Sequence, residues 1–164
     1  MTNLPQTRAI RHAVRALIVD EHDHVLLIHL NMPRGPVWLT PGGGINEGEE
    51  RFMALRRELT EEVGRDDLEP GPHLWSRRIH YELNGVPWEQ REQIYLVRTE
   101  RFEPSAALMP SESERDWFVG FKWWSQAELA ASEERFGPRD LAVRLLDLLR
   151  DGPPAVPIDI SLIG

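Results

Sequence analysis

Residues 42–64, GGGINEGEERFMALRRELTEEVG, constrain this chain more than any other stretch, because a run of glycines stands directly ahead of a segment rich in helix formers. Gly42, Gly43 and Gly44 follow Pro41, and three consecutive residues without Cβ let the backbone turn sharply and come close to a ligand. Gly48 adds a second flexible point. Glu49 and Glu50 then open a run containing Met53, Ala54, Leu55, Arg56, Arg57, Glu58 and Leu59. This predicts a helix of about four turns that stops at Gly64, a residue type suited to leaving a helix.

On that helix Phe52, Leu55, Leu59 and Val63 recur at spacings of three and four, which predicts one apolar stripe seated on a core. Glu58, Glu61 and Glu62 form a second stripe. Each like-charge pair at such spacing costs about 0.2–0.5 kcal/mol in an isolated helix, and a cation would relieve it. A hard divalent ion takes oxygen ligands and leaves positions for substrate phosphates, which suits clustered carboxylates beside an open loop; Mg²⁺ or Mn²⁺ fits the donor set. Taken alone, a glutamate-rich helix is an ordinary solvated face.

The joint spacing says more. Gly43 is followed by five residues, Glu49, seven residues, Arg57-Glu58, the aliphatic Leu59, one residue, Glu61-Glu62, one residue and Gly64. This resembles the Nudix box, and Trp38-Leu39-Thr40-Pro41-Gly42 is similar to the strand that leads into it. Arg65 departs from the pattern, since the family places an aliphatic residue there. The resemblance implies a Nudix-type α/β/α sandwich with a mixed central sheet, and hydrolysis of a diphosphate linked to another moiety by attack of water on phosphorus. It implies that Glu58, Glu61 and Glu62 ligate Mg²⁺ or Mn²⁺, with the Gly42 carbonyl as a further ligand and one glutamate as general base. Arg57 would pair with Glu49 and hold the carboxylates in position. Gly43 and Gly44 would lie against the substrate.

Outside the box the resemblance thins. Family members often recruit a distant glutamate as base or ligand; Glu112 and Glu114 lie where that residue is commonly found, in a loop by our reading, with Glu92 a weaker choice. Tyr81 lies near the position of a tyrosine in dinucleoside polyphosphate hydrolases. The proline associated with ADP-ribose hydrolysis is replaced by His80. Six tryptophans offer flat partners for a base, and Trp88 and Trp117 are chosen because both fall in loop-like segments. Arg34, Arg77, Arg78 and Arg91 are candidate phosphate ligands.

The 164 residues, 41% hydrophobic and 28% charged, fit a single domain spanning 1–164 with an extended tail from about residue 152. A formal net charge of −8 argues against nucleic-acid polymers and fits a small anionic nucleotide held through metal. The absence of cysteine removes disulfides, thiolate metal sites and the cysteine-dependent isomerases that share the scaffold. No segment approaches about 20 apolar residues, and residues 1–15 carry arginines without an apolar core, so a cytoplasmic protein without membrane contact is expected. A homodimer is implied by the resemblance alone.

Strands are predicted at residues 13–19, 24–29, 37–39, 74–83, 93–98 and 118–124, with Asn84-Gly85 as a turn. Ser125-Gln126-Ala127-Glu128 has capping-box spacing, which predicts a short helix to about Ser132. A last helix is expected from Pro138 or Arg139 to Leu149, with Leu141, Leu145, Leu148 and Leu149 inward. The leading functional expectation is a metal-dependent hydrolase of a nucleoside triphosphate or dinucleoside polyphosphate, with ADP-ribose or a sugar nucleotide as alternatives. A non-catalytic nucleotide sensor on the same fold is the second.

Overall fold

The computed structural model describes residues 7–110 and 112–161, the side chains of 112–114 excepted. Two sheet halves meet where strand β1 (Ala9–Val19) turns into β2 (Val25–Met32), joined through the pair Val19↔Val25. Around β1 stand β4 (Gly42–Gly44), β6 (Val86–Arg98), β5 (His73–Leu83) and β9 (Ile158–Asp159); around β2 stand β3 (Gly35–Leu39), β8 (Phe136–Gly137) and β7 (Phe118–Trp124). The sheet is mixed: β1 and β6 run parallel from Ala9↔Trp88 to Val19↔Arg98, while β5 and β6 form an antiparallel hairpin. Asn84 and Gly85, both at positive φ, make its two-residue turn.

Helix α1 (Arg51–Val63) covers one face, where Leu55, Leu59 and Val63 pack on Val14, Ala16, Ile18 and Val97. The short helices α2 (Glu112–Trp117) and α3 (Gln126–Ala131) flank β7, and α4 (Leu141–Asp151) closes the opposite face with Leu141, Leu145 and Leu148 in a second core. The result is the expected α/β fold, with helices on both faces of a curled mixed sheet. Ser125 caps α3 in a complete capping box with Glu128. Among the described residues, no helix is long and apolar enough to cross a membrane.

Several expectations need correction. Phe52 does not join the buried stripe of α1: it is exposed and sets its edge against Tyr95, 5.0 Å between ring centroids, while Ala54 is buried in its place. Strand β6 starts at Val86, so Trp88 lies in a strand rather than a loop; Glu112 and Glu114 belong to α2 rather than a loop, and Trp117 ends that helix. The tail is anchored: β9 pairs with β5 at Trp75↔Ile158, and Ile160 is buried in the core beneath α4. Arg65 finds its own partners, a bidentate pair with Asp67 at 2.6 and 2.8 Å and the Phe102 ring 4.6 Å away.

Candidate functional site

The three glycines form a strand, β4, rather than an open loop, and what they approach is the protein itself. Gly42, Gly43 and Gly44 pair with Arg15, Val14 and Ala13 of β1. A Cβ on Gly42, at φ 139°, would stand 2.2 Å from the Val14 carbonyl oxygen. One on Gly43 would stand 2.6 Å from Glu58 Oε1, so the missing side chain is the space the Glu58 carboxylate fills. The Gly42 N–H donates to Glu62 Oε2 at 2.8 Å. Helix α1 thus presses two of its three acidic side chains against the glycine strand.

Arg57 stands at the centre of this contact. Its Nε and Nη2 bind the two oxygens of Glu49, both at 2.9 Å; Nη1 donates to Glu58 Oε1 at 2.9 Å; Nη2 also reaches the Gly44 carbonyl at 3.0 Å. Glu61 Oε2 lies 3.5 Å from Nη1. The expected Arg57–Glu49 pair is therefore present, and it is bidentate. Hydrogen bonding from Arg57 holds the Glu49 carboxyl down at about 2. Glu58, Glu61 and Glu62 with the Gly42 carbonyl supply only oxygen donors, the chemistry Mg²⁺ or Mn²⁺ requires. Among the described residues no three carboxylate or imidazole groups converge closely enough to hold an ion; Arg57 and the Gly42 N–H occupy oxygens of these glutamates.

A second arginine holds the glycine strand from the other side, and sequence reasoning missed it. Arg15 donates from Nη1 to the Thr40 carbonyl at 2.9 Å and, in a long contact, to that of Gly42 at 3.5 Å. Its Nε binds Glu92 at 2.7 Å; Arg77 binds the other oxygen of Glu92 at 2.6 and 2.9 Å, and Gln90 donates at 2.7 Å. Glu92 is only 1% exposed. Burial pushes its carboxyl upward, but the two guanidinium charges and their hydrogen bonds outweigh that and keep it well below the usual carboxylate range. The one available signal was local: Arg15 stands between the apolar Ala13 and Leu17 on its face of β1, and Glu92 stands next to Ile94 on its face of β6.

The remaining candidates separate into groups. Tyr81 and Trp88 are cross-strand partners, four residues beyond Arg77 and Glu92 on their respective strands, so all four side chains share one sheet face. Trp117 stands on the half of the sheet built on β2 and is not brought to them. The side chains of Glu112 and Glu114 lie outside the described residues. Trp38, Trp75 and Trp124 are core residues. A cleft of about 670 Å³ opens at the end of the glycine strand beside Ile45, Glu49 and Arg51, and another of about 890 Å³ lies between β3 and β5.

The family model of the NUDIX domain matches residues 9–145. Nucleoside triphosphatase NudI of Klebsiella pneumoniae (strain 342) is 30% identical over 83 residues, 49% of this chain and 59% of that protein. RNA pyrophosphohydrolase of Bartonella clarridgeiae is 50% identical over 36 residues, 22% of this chain and 21% of that one. The match therefore spans less than two thirds of either curated relative. Among solved structures, the MutT protein from Methanosarcina mazei Go1 superposes with a TM-score of 0.61 at 19% identity, covering 88% of this chain and 96% of that one. A C. elegans Ap4A hydrolase does so with a TM-score of 0.55 at 17% identity, covering 85% and 98%. At those identities the likeness is one of fold.

Proposed function

Because the chain belongs to the Nudix family, its domain match running over residues 9–145, we propose that it is a metal-dependent hydrolase of a diphosphate linkage in a nucleoside diphosphate derivative, namely a nucleoside triphosphate or dinucleoside polyphosphate. The observation that carries this reading is the Arg57 junction, which ties Glu49, Glu58 and the Gly44 carbonyl together where α1 meets the glycine strand. A surface ion pair has no need of such an arrangement, since isolated exposed pairs contribute little.

In this reading Glu58, Glu61, Glu62 and the Gly42 carbonyl hold Mg²⁺ or Mn²⁺. A divalent ion bound there supplies charge neutralisation for the diphosphate and lowers the pKa of water. The residues of the chain do the rest. Gly43 and Gly44, packed against the Glu58 carboxylate and the Arg11 guanidinium, place these two groups where the diphosphate would lie. One of the box glutamates takes the proton of the attacking water, and Glu114, carried on α2, is the proposed additional glutamate. Arg57 fixes the helix carboxylates through Glu49. The Tyr81–Trp88 pair offers a surface on which a base can stack. The names of the relatives, a nucleoside triphosphatase and an RNA pyrophosphohydrolase, support a phosphoanhydride as the bond that is cleaved.

The test is release of phosphate or nucleotide from nucleoside triphosphates, dinucleoside polyphosphates, ADP-ribose and sugar nucleotides with Mg²⁺ or Mn²⁺, comparing wild type with Glu62→Gln. Metal-dependent turnover that falls at least about 100-fold in the variant is expected. Tight binding of one compound without any turnover would instead support a sensor.

A further inference from the structure

The cleft of about 890 Å³ between β3, β8 and β5 is lined by five arginines: Arg34, Arg77, Arg78, Arg135 and Arg139. They arrive from separate stretches of chain, the β2–β3 turn, strand β5 and both sides of β8. Two carboxylates also line it, and each already has a cation. Glu89 binds Arg91 at 2.6 Å and His80 at 3.0 Å; Asp140 binds Arg144 at 2.8 Å. Arg77 is committed to Glu92. Arg34, Arg78, Arg135 and Arg139 make no ion pair among the described residues, and all four are exposed.

A chain of net charge −8 with 19 basic residues has gathered five of them around one cleft. Cations brought together in a concave site raise the local concentration of anions. Guanidinium groups match phosphate oxygens in a planar fork. The volume is that of a small-molecule pocket rather than a polymer track. Apolar wall is present as well, from Leu39, Phe136 and Pro138. The cleft is also coupled to the glycine strand: Arg77 at its floor shares Glu92 with Arg15, and Arg15 holds the Thr40 carbonyl just before that strand.

We propose that this cleft is a second anion subsite, which takes a phosphate group of the substrate other than the diphosphate that is cleaved. It rests on the hydrolase reading above and narrows it: a ligand carrying three or more phosphates uses both sites, whereas ADP-ribose or a sugar nucleotide has only the scissile pair. Four exposed arginines that make no close ion pair among the described residues, of which Arg78 acts at longer range on Glu89 and Asp159, are what a further phosphate would neutralise.

The experiment compares wild type with Arg135→Gln/Arg139→Gln and, separately, Arg34→Gln. It reads kcat and KM for diadenosine tetraphosphate and for ADP-ribose, and calorimetric binding of inorganic tripolyphosphate. These side chains are exposed, so the variants should fold, which circular dichroism verifies. In the double variant the ratio of kcat/KM for the tetraphosphate to that for ADP-ribose should fall about tenfold, through KM, and tripolyphosphate should bind about tenfold more weakly. An unchanged ratio with unchanged tripolyphosphate affinity would overturn the subsite while leaving the hydrolase intact. Should wild type turn over neither compound, a nucleoside triphosphate takes the place of the tetraphosphate as the hydrolase's substrate and tripolyphosphate binding decides the subsite: weakened in the double variant, it stands; unaltered or absent, it falls.

Discussion

Arg57 and Arg15 brace the same short strand from two sides, one through the Gly44 carbonyl and one through those of Thr40 and Gly42. Their anions differ in setting. Glu49 is half-buried with one guanidinium, whereas Glu92 is buried with two. Arg57→Lys keeps the charge and loses the fork, so turnover should drop by about 10–100-fold with little change in melting temperature. Glu92→Gln leaves two guanidiniums without their anion and should cost about 3–5 kcal/mol in denaturant unfolding at pH 7. The pH dependence separates this from simple repacking. The Glu92 carboxyl is held low in the folded state, so its contribution is complete above the ordinary glutamate pKa of about 4.3 and is lost as pH falls through the folded value. Wild type should therefore lose stability on acidification below about pH 5, and the variant should show a flatter curve. The first of these pairs was legible in the sequence because Arg57 and Glu49 sit within one motif. The second was not: Arg15 and Glu92 are 77 positions apart, and no local rule pairs a charge on one strand with a charge on another.

Strand β4 turns a composition into a constraint. Three glycines read as a flexible loop, yet in the fold each avoids a specific neighbour, and the neighbours predict different failures. At Gly43 the obstacle is the far end of the Glu58 side chain, 2.6 Å from an added Cβ, a side-chain terminus rather than backbone. Gly43→Ala should melt within a few degrees of wild type and lose most of its turnover, because the displaced group is the one assigned to the metal. At Gly42 the obstacle is the Val14 carbonyl at 2.2 Å, with φ in the region that favours glycine. Gly42→Ala should lose more than about 2 kcal/mol of stability, since backbone of β1 must move. Equal melting of the two variants would contradict this assignment of the two glycines. The ends of α1 and α3 were readable because Gly64, Ser125 and Glu128 are local signals. The first half of β6 was not, since Pro87, Glu89, Gln90 and Arg91 carry no apolar alternation, and its strand character comes from pairing with β1 and β5.

Across the whole molecule, strands of both sheet halves contribute to the core under α4, and the stretch after α4 returns to close it. Three prolines in residues 153–157 made this stretch read as an extended tail, and sequence pattern carries no sign of where an extended segment docks. In the fold, β9 lies parallel to β5, the Ile160 N–H donates to the Ser76 carbonyl at 2.8 Å, and the Arg78 N–H donates to Ser161 Oγ at 2.8 Å. Ile160 is 2% exposed and packs in the same core as Trp75, Leu141 and Leu145. Removing its side chain beyond Cβ leaves a cavity under α4, so Ile160→Ala should cost about 2–4 kcal/mol and lower the melting temperature by about 4–15 °C. Val156, 74% exposed four residues earlier, is the control: Val156→Ala should stay within about 0.5 kcal/mol. Thermal unfolding of the two variants side by side checks whether the stretch is a strap of the core or an appendage, because an appendage would leave both melting temperatures where wild type has them. The strap also bears on the arginine cleft, since Ile160 and Ser161 line it beside Arg78. Ile160→Ala should therefore weaken tripolyphosphate binding without touching any arginine, and an unchanged affinity would place the cleft's geometry in β3, β5 and β8 alone.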